Sequence, residues 1–436
     1  MKRTQTLANV STKLQRIAEL ARTAPQMAIR TLAHHIDVEF LRVAYWQTRK
    51  DGATGVDEQT AADYAANLEG NLRSLLDRFK SGSYVAPPVR RVEIPKGDGT
   101  TRPLGIPTFE DKVLQRAVAM VLGAVYEQDF LDCSYGFRPG RSAHQALDAL
   151  WKSLTRVGGG WVIDVDIRRF FDSVDHGHLR AILDQRVRDG VLRRTINKWL
   201  NAGVQRDGVL EYPVEGTPQG GVISPLLANV FLHEVLDVWF EREVKPRLAG
   251  SASLIRYADD AVMVFLQETD ARRVMAVLAK RFAKYGLTLH PGKTKLVDFR
   301  CPTRKGVHSE TFDVLGFTHF WGLSLKGKRI VKRKTSSKAF TRALARVADW
   351  CRRNRHRRIR EQFKVLVRKV NGHYGYFGIT GNHRALGCFY QEVRRAWRKW
   401  LDRRSNRARM KWDRFVLLSR TYQLPLPHSP RSIYRA

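Results

Sequence analysis

The chain has 436 residues, 43% of them apolar, which allows two or three domains with substantial cores and excludes a disordered chain. Its formal net charge is +35; so basic a protein repels itself unless it meets a polyanion, which points to nucleic acid or an anionic membrane. The longest apolar run, Ala117 to Tyr126, is too short to span a bilayer, and the opening MKRTQTLANVSTK lacks the apolar core of a secretory signal, so no membrane partner is expected. Cys133, Cys301, Cys351 and Cys388 form no CxxC pair; a disulfide framework and a structural zinc site are not expected, and a reducing cytosol fits. The charge is lopsided. Residues 301–436 carry 34 Lys and Arg against 7 Asp and Glu, a net of +27, whereas residues 1–300 carry 43 against 35, a net of +8.

Taken in chain order, residues 11–47 predict helix, with Leu14, Ile17, Leu20 and Ala21 at helical spacing. Lys50 to Asp57 (KDGATGVD) is a glycine-punctuated loop. Residues 89–108 predict a hairpin turning at Lys96-Gly97-Asp98-Gly99. Helices are expected near 110–128 and 142–156, a buried strand at Trp161 to Ile167 (WVIDVDI), and a helix over 178–202. Ser224-Pro225 opens another helix, with Ser as N-cap and Pro at the first helical position. Ser253 to Leu266 (SLIRYADDAVMVFL) reads as two apolar strands around a tight turn, 271–285 as helix and 286–299 as extended chain. Beyond Phe320 three helical stripes follow: Phe340, Leu344, Val347 and Trp350; Phe363, Leu366, Val370 and Tyr374; Phe389, Val393, Trp397 and Trp400.

Three carboxylates carry the chemistry. Asp166 ends the buried strand, with Asp164 on the same face, and Asp259 and Asp260 sit together at the hairpin tip. Charges placed there must be desolvated or neutralised. A pair of divalent cations neutralises them and suits phosphoryl transfer: one lowers the pKa of an attacking hydroxyl, the other holds a triphosphate and its leaving group. An Asp-Asp turn alone is more often a solvated β-turn. What raises it is the order of its neighbours, including the glycine-rich turn Gly216 to Leu227 (GTPQGGVISPLL), where backbone can approach a base pair or sugar and Gln219 offers a planar amide.

In chain order the sequence contains GATGVD (52–57), IPKGDGTTRPLGIPT (94–108), YGFRPGRSAHQAL (135–147), VIDVDIRRFFDSVDH (162–176), GTPQGGVISPLLANVFL (216–232), RYADD (256–260), GLTLHPGKTKL (286–296) and VLGF (314–317). This series resembles the reverse transcriptases encoded by bacterial group II introns, also called maturases, and 371–405 resembles their maturase or thumb region. The resemblance implies an α+β right hand: fingers and palm with an antiparallel palm sheet over 1–310, a helical thumb or maturase (X) domain over 311–405, and a short basic tail at 406–436 that is a candidate DNA-contacting remnant, with no endonuclease domain. It implies that Asp166, Asp259 and Asp260, with the Ile167 carbonyl, hold two Mg²⁺ ions, for which Mn²⁺ can substitute. Phe171 would exclude a 2′-hydroxyl and so select dNTPs, although one Phe of a Phe-Phe pair is more often core. Lys96 and Arg102 would clamp the triphosphate, Gln219 would touch the sugar, and Lys293 would stand near the leaving pyrophosphate as a proton donor. As isolated basic residues, Lys96, Arg102 and Lys293 would more often be merely solvated.

The run Arg352, Arg353, Arg355, Arg357, Arg358 and Arg360 would grip the duplex or a folded intron RNA, since +27 on one third of the chain exceeds what solubility needs. Expected partners are an RNA template, a DNA primer, dNTPs, the intron RNA and target DNA. Competing readings are a splicing cofactor with lapsed polymerase activity, an RNA-dependent RNA polymerase, and a domesticated relative serving phage defence or DNA repair.

Overall fold

The computed structural model describes residues 2–95, 101–206, 209–211, 220–302, 309–324, 326–405 and 409–431. Lys96, the turn around it and Gln219 lie outside the described residues. The chain divides into two compact units, Met1–Leu296 and Val297–Ala436. The architecture is α+β, with three sheets and many helices. No described helix is long and apolar enough to cross a membrane.

The first unit contains one four-stranded sheet and all of a second but the end of its last strand, which runs past Leu296. In one, β1 (Val89–Pro95) pairs antiparallel with β2 (Thr101–Ile106), and the order continues through β4 (Val204–Arg206) to β5 (Val209–Glu211). This is the expected hairpin. In the other, the order is β6 (Ala252–Tyr257), β7 (Asp260–Phe265), β3 (Trp161–Val165), β8 (Lys295–Asp298). Strand β7 is central and antiparallel to both β6 and β3. Its run AVMVF is buried at every position, because helices cover it; the core joins Ile163, Met263 and Phe265 to Val121, Val125, Phe231 and Phe282 of the surrounding helices.

Several helix boundaries differ from the sequence expectation. The stretch 11–47 is two helices, Lys2–Thr23 and Val38–Gln47, separated by a short 3-10 turn at Ala33–His35. Pro25 disfavours helix at Ala24, and Arg186 stabilises the break: its guanidinium donates to the carbonyls of Ala21, Ala24 and Met27 while pairing with Asp129. The stretch 178–202 is likewise split into His176–Arg186 and Gly190–Leu200. Asp189 caps the second helix through the Val191 and Leu192 amides and also accepts from Leu32 and Ala33, so one carboxylate serves two breaks. Ser224 is the first helical residue rather than the cap, and that helix, Ser224–Leu232, runs on as a π-helix at His233–Val244. Of 286–299 only Lys295–Asp298 is strand; Gly286 to Thr294 is turn and irregular chain, with Leu289 bridging Ile167.

In the second unit, β9 (Phe312–Val314), β10 (Phe317–Leu323) and β11 (Arg329–Thr335) form an antiparallel sheet that the sequence pattern hid. Strand β11 (RIVKRKT) turns Val331, Arg333 and Thr335 inward, so a charged residue occupies an inward position and breaks the apolar alternation. Three helices follow as expected, Ser337–Arg353, Ile359–Phe377 and His383–Asp402, and bury Val347, Leu366, Val370, Phe389, Val393 and Trp397 together. A fourth helix, Trp412–Thr421, adds Phe415 to the same core, so much of the basic tail is packed structure.

Candidate active site

Asp166 follows β3 directly, and Asp259 and Asp260 lie at the β6–β7 turn. Val165 pairs with Ala261, so one further step of the same register sets Asp166 opposite Asp260. The backbone of Asp166 is clamped from the other side: its carbonyl accepts from the His290 amide (2.8 Å) and the Thr294 hydroxyl (3.1 Å), and its amide donates to that hydroxyl (3.2 Å). Lys293, between these two anchors, brings Nζ to 3.4 Å from the Asp166 carboxylate, with most of its side chain in solvent. The motif GLTLHPGKTKL thus fixes the strand end that carries Asp166.

The turn holding the other two carboxylates is strained and braced from below. Tyr257 pairs with Asp260, leaving Ala258 and Asp259 as a two-residue turn with Ala258 at φ +58°. A positive φ at the first central residue is the place such hairpins normally give to glycine. Arg256, fully buried, donates to the Ala258 carbonyl at 2.9 Å and so pins the turn. Its guanidinium also grips the buried Asp237 carboxylate with two bonds (2.7 and 2.6 Å), Asn229 Oδ1 (2.9 Å) and Ser134 Oγ (2.8 Å). Burial is the largest influence on Asp237 and raises its pKa, but the charge and hydrogen bonds of Arg256, joined by His233, together hold it below the usual carboxylate value. Segment 133–135 runs alongside β6, with the Cys133 carbonyl and Tyr135 amide bonded to the Arg256 backbone. Gly136 then lies flat on the turn: a Cβ there would stand 2.2 Å from the Ala258 nitrogen.

The carboxylates feel one another. Burial raises the pKa of Asp259, with Asp166 adding to the rise while Arg102 and Arg256 oppose it. Asp260 keeps contact with solvent, yet surrounding protein and then Asp259, Asp166 and Asp164 push it up to about 7, against the pull of Lys293. Such a set of oxygen donors, short of positive charge, fits hard divalent cations. Among the described residues no three His, Cys, Asp or Glu side chains are gathered tightly enough to form a metal centre by themselves.

The remaining expected residues fall as follows. Arg102 is exposed on β2 within electrostatic reach of Asp259. Ile167 has a buried side chain. Phe171 lies on the short turn Phe170–Asp172 after Asp166, buried and edge-on to Phe170 (centroids 5.3 Å apart). In the second unit, the six arginines from Arg352 to Arg360 are all exposed, spread over a helix end, a turn and the next helix start. Arg352 and Arg353 share Asp349, and Gln362, itself bonded to Trp397, holds the Arg355 and Arg357 carbonyls. Sequence reasoning missed the Arg256–Asp237 pair. Its signal was an arginine inside the apolar run SLIRYADDAVMVFL, a position a charge occupies only with a buried partner.

The family model described as reverse transcriptase (RNA-dependent DNA polymerase) matches residues 94–319. The chain therefore belongs to the reverse transcriptase family, and the intron-encoded branch that the ordered motifs resemble is where its relatives lie. It is 37% identical over 222 residues to the group II intron-encoded protein LtrA of Lactococcus lactis subsp. cremoris, covering 49% of this chain and 36% of LtrA. It is 38% identical over 240 residues to protein YkfC of Escherichia coli K12, covering 53% of this chain and 63% of YkfC. The nuclear intron maturase 2 of Arabidopsis thaliana mitochondria is 28% identical over 186 residues, or 34% of this chain and 24% of that protein. The matches thus span from about a quarter to under two thirds of these relatives' own length.

Two outcomes are expected from this geometry. Arg256→Met strands a buried carboxylate and should destabilise the fold by about 3–5 kcal/mol, whereas Arg256→Met/Asp237→Leu should recover most of that in denaturant unfolding. The double variant should still lack the bond to Ala258 and stay impaired in catalysis; full catalytic recovery would show that the brace acts on stability alone. Without divalent cations, Asp260 should titrate near pH 7 in carboxyl NMR. Because that value lies above the ordinary one, the folding penalty on its charge sets in as pH rises from about 4 through 7. Adding Mg²⁺ should lower the midpoint, and an ordinary midpoint in the metal-free protein would refute the crowding.

Proposed function

We propose that the chain is an RNA-directed DNA polymerase of the bacterial cytoplasm that adds dNTPs to a DNA primer on an RNA template, and that it also binds a group II intron RNA to assist its splicing and mobility. The observation that carries the first half is the mutual crowding of Asp166, Asp259 and Asp260 at paired strand ends, within the segment that matches the reverse transcriptase family. In this reading fingers and palm occupy 1–310, the thumb or maturase domain 311–405 and a DNA-contacting tail 406–436.

Asp166, Asp259 and Asp260, with the Ile167 carbonyl, would hold two Mg²⁺ ions. When bound, these ions lower the pKa of the primer 3′-hydroxyl and neutralise the charge that develops on the triphosphate. Arg102 and Lys96 bind the triphosphate and orient its α-phosphorus toward the primer end. Lys293, beside Asp166, holds a proton where the pyrophosphate departs. Phe171 closes the space beneath the sugar, so a ribose 2′-hydroxyl meets a ring, and Gln219 contacts the same sugar. The Arg352–Arg360 run binds phosphates of RNA or duplex, and its fixed turn presents that charge at little ordering cost.

Splicing assistance needs binding energy rather than carboxylates, since intron RNA performs its own phosphoryl transfer and the protein only favours the folded form. Asp259→Asn/Asp260→Asn should therefore cut primer extension by at least roughly 10²–10³-fold while still lowering the Mg²⁺ requirement of the flanking intron's splicing. Extension within a few-fold of wild type would refute the metal assignment; wild-type protein that leaves the intron's Mg²⁺ requirement unchanged would refute the maturase half. Phe171→Val should raise ribonucleotide over deoxyribonucleotide incorporation in the same assay, and an unmoved ratio would make Phe171 a core residue only.

A further inference from the structure

The helix Phe109–Tyr126 is apolar along its buried side except at Asp111 and Gln115, one turn apart and almost fully buried. Burial pushes the Asp111 carboxyl up to about 6, with three donors acting against it: the Tyr84 hydroxyl, the Trp199 indole (2.6 Å) and the Gln115 amide (2.9 Å). The other end of the Gln115 amide, Oε1, accepts from the backbone N–H of Val222 (2.7 Å) and of Ile223 (3.4 Å). An ionised carboxylate only accepts. Facing it, Gln115 must present its NH₂ to Asp111 and its oxygen to the turn at 222–223; the reverse orientation would set acceptor against acceptor at one end and donor against donor at the other. On the opposite side Gly220, at φ +113°, lies against β2: a Cβ there would stand 2.4 Å from the Gly105 carbonyl oxygen. The turn Gly220–Ile223 is thus held between β2 and this helix, immediately after Gln219.

We infer that Gln115, oriented by Asp111, is a positioning residue that holds the Gly220–Ile223 turn in place and thereby sets how tightly the incoming nucleotide is bound. The nucleotide half of this inference rests on the polymerase reading above; the holding of the turn does not. Both side chains are buried away from solvent. Gln115 acts through the backbone amides of the turn and Asp111 through Gln115, which explains why two polar groups occupy an otherwise apolar helix face where leucines would pack at lower cost.

Three variants of the full chain test it: Asp111→Asn, Gln115→Leu and the swap Asp111→Asn/Gln115→Glu. In the swap, the amide oxygen now at position 111 still accepts from Tyr84 and Trp199, and its NH₂ donates to the carboxylate now at position 115. That carboxylate accepts from Val222 and Ile223, so every bond is remade with the charge moved by one turn. Two measurements are made well above the titration of Asp111: hydrogen exchange of the 220–223 amides, and steady-state extension resolved into kcat and KM for dNTP. The single variants should exchange the Val222 and Ile223 amides about tenfold faster and raise KM about tenfold, with kcat within about twofold, the scale of one lost hydrogen bond in a buried network. The swap should return both readouts to within about threefold of wild type.

Unchanged amide exchange in natively folded Gln115→Leu would overturn the holding role. Faster exchange with an unmoved KM would overturn the link to nucleotide binding. A swap variant that folds but restores neither readout would overturn the orientation argument. Wild-type protein that extends no primer would instead refute the polymerase reading, and the hydrogen-exchange arm would still decide whether Gln115 holds the turn.

Discussion

The site depends on one buried charge pair. Arg256 and Asp237 are both shut off from water, and their two-bond contact is the reason either can be ionised there. Having secured its own solvation, the guanidinium has donors left for the Ala258 carbonyl, Asn229 and Ser134, and those bonds draw three chain segments to a single point beneath the carboxylates. Asn229 in turn donates to the Gly136 carbonyl, whose residue lies flush on the turn. A left-handed alanine at the apex is tolerable because everything around it is fixed.

A second tension runs through the catalytic strands. The turn must gather negative charge while the sheet beneath it is among the driest parts of the unit. Cations placed nearby relieve this in part: Arg102 from the hairpin, Lys293 from the loop that clamps Asp166, Arg256 from below. None of them cancels it. The residual shortage of positive charge leaves a set of oxygen donors of the kind that suits hard divalent cations.

The sequence carried the parts of this arrangement that repeat or contrast. Apolar runs interrupted by Asp marked β3 and the β6–β7 hairpin, and the helical stripes beyond Phe320 marked the second core. The ordered motifs supplied the family. What stayed hidden were features decided at long range. Arg186 ends one helix from 162 residues away, and Asp189 caps one break while bonding the backbone of another. Strand β11 buries an arginine, so its pattern reads as a solvated charge run. Gln115 and Asp111 look like ordinary helix polars until their partners at 199 and 222 are known. Local pattern cannot reveal a hydrogen bond whose other half lies far along the chain.

The π-helical stretch His233–Val244 gives this region an unusual sensitivity to length. In an α-helix each residue turns the chain by about 100°, and a π-turn accommodates one more residue before the same face returns. Asp237 meets Arg256 from inside that widened stretch. Removing a single residue ahead of it would let the segment relax toward ordinary helix and swing the carboxylate round to a different face, while conservative replacements at exposed positions of the stretch would leave the pairing intact. Over evolutionary drift this stretch should therefore tolerate changes of identity while resisting insertion and deletion, although it holds no residue assigned to the chemistry.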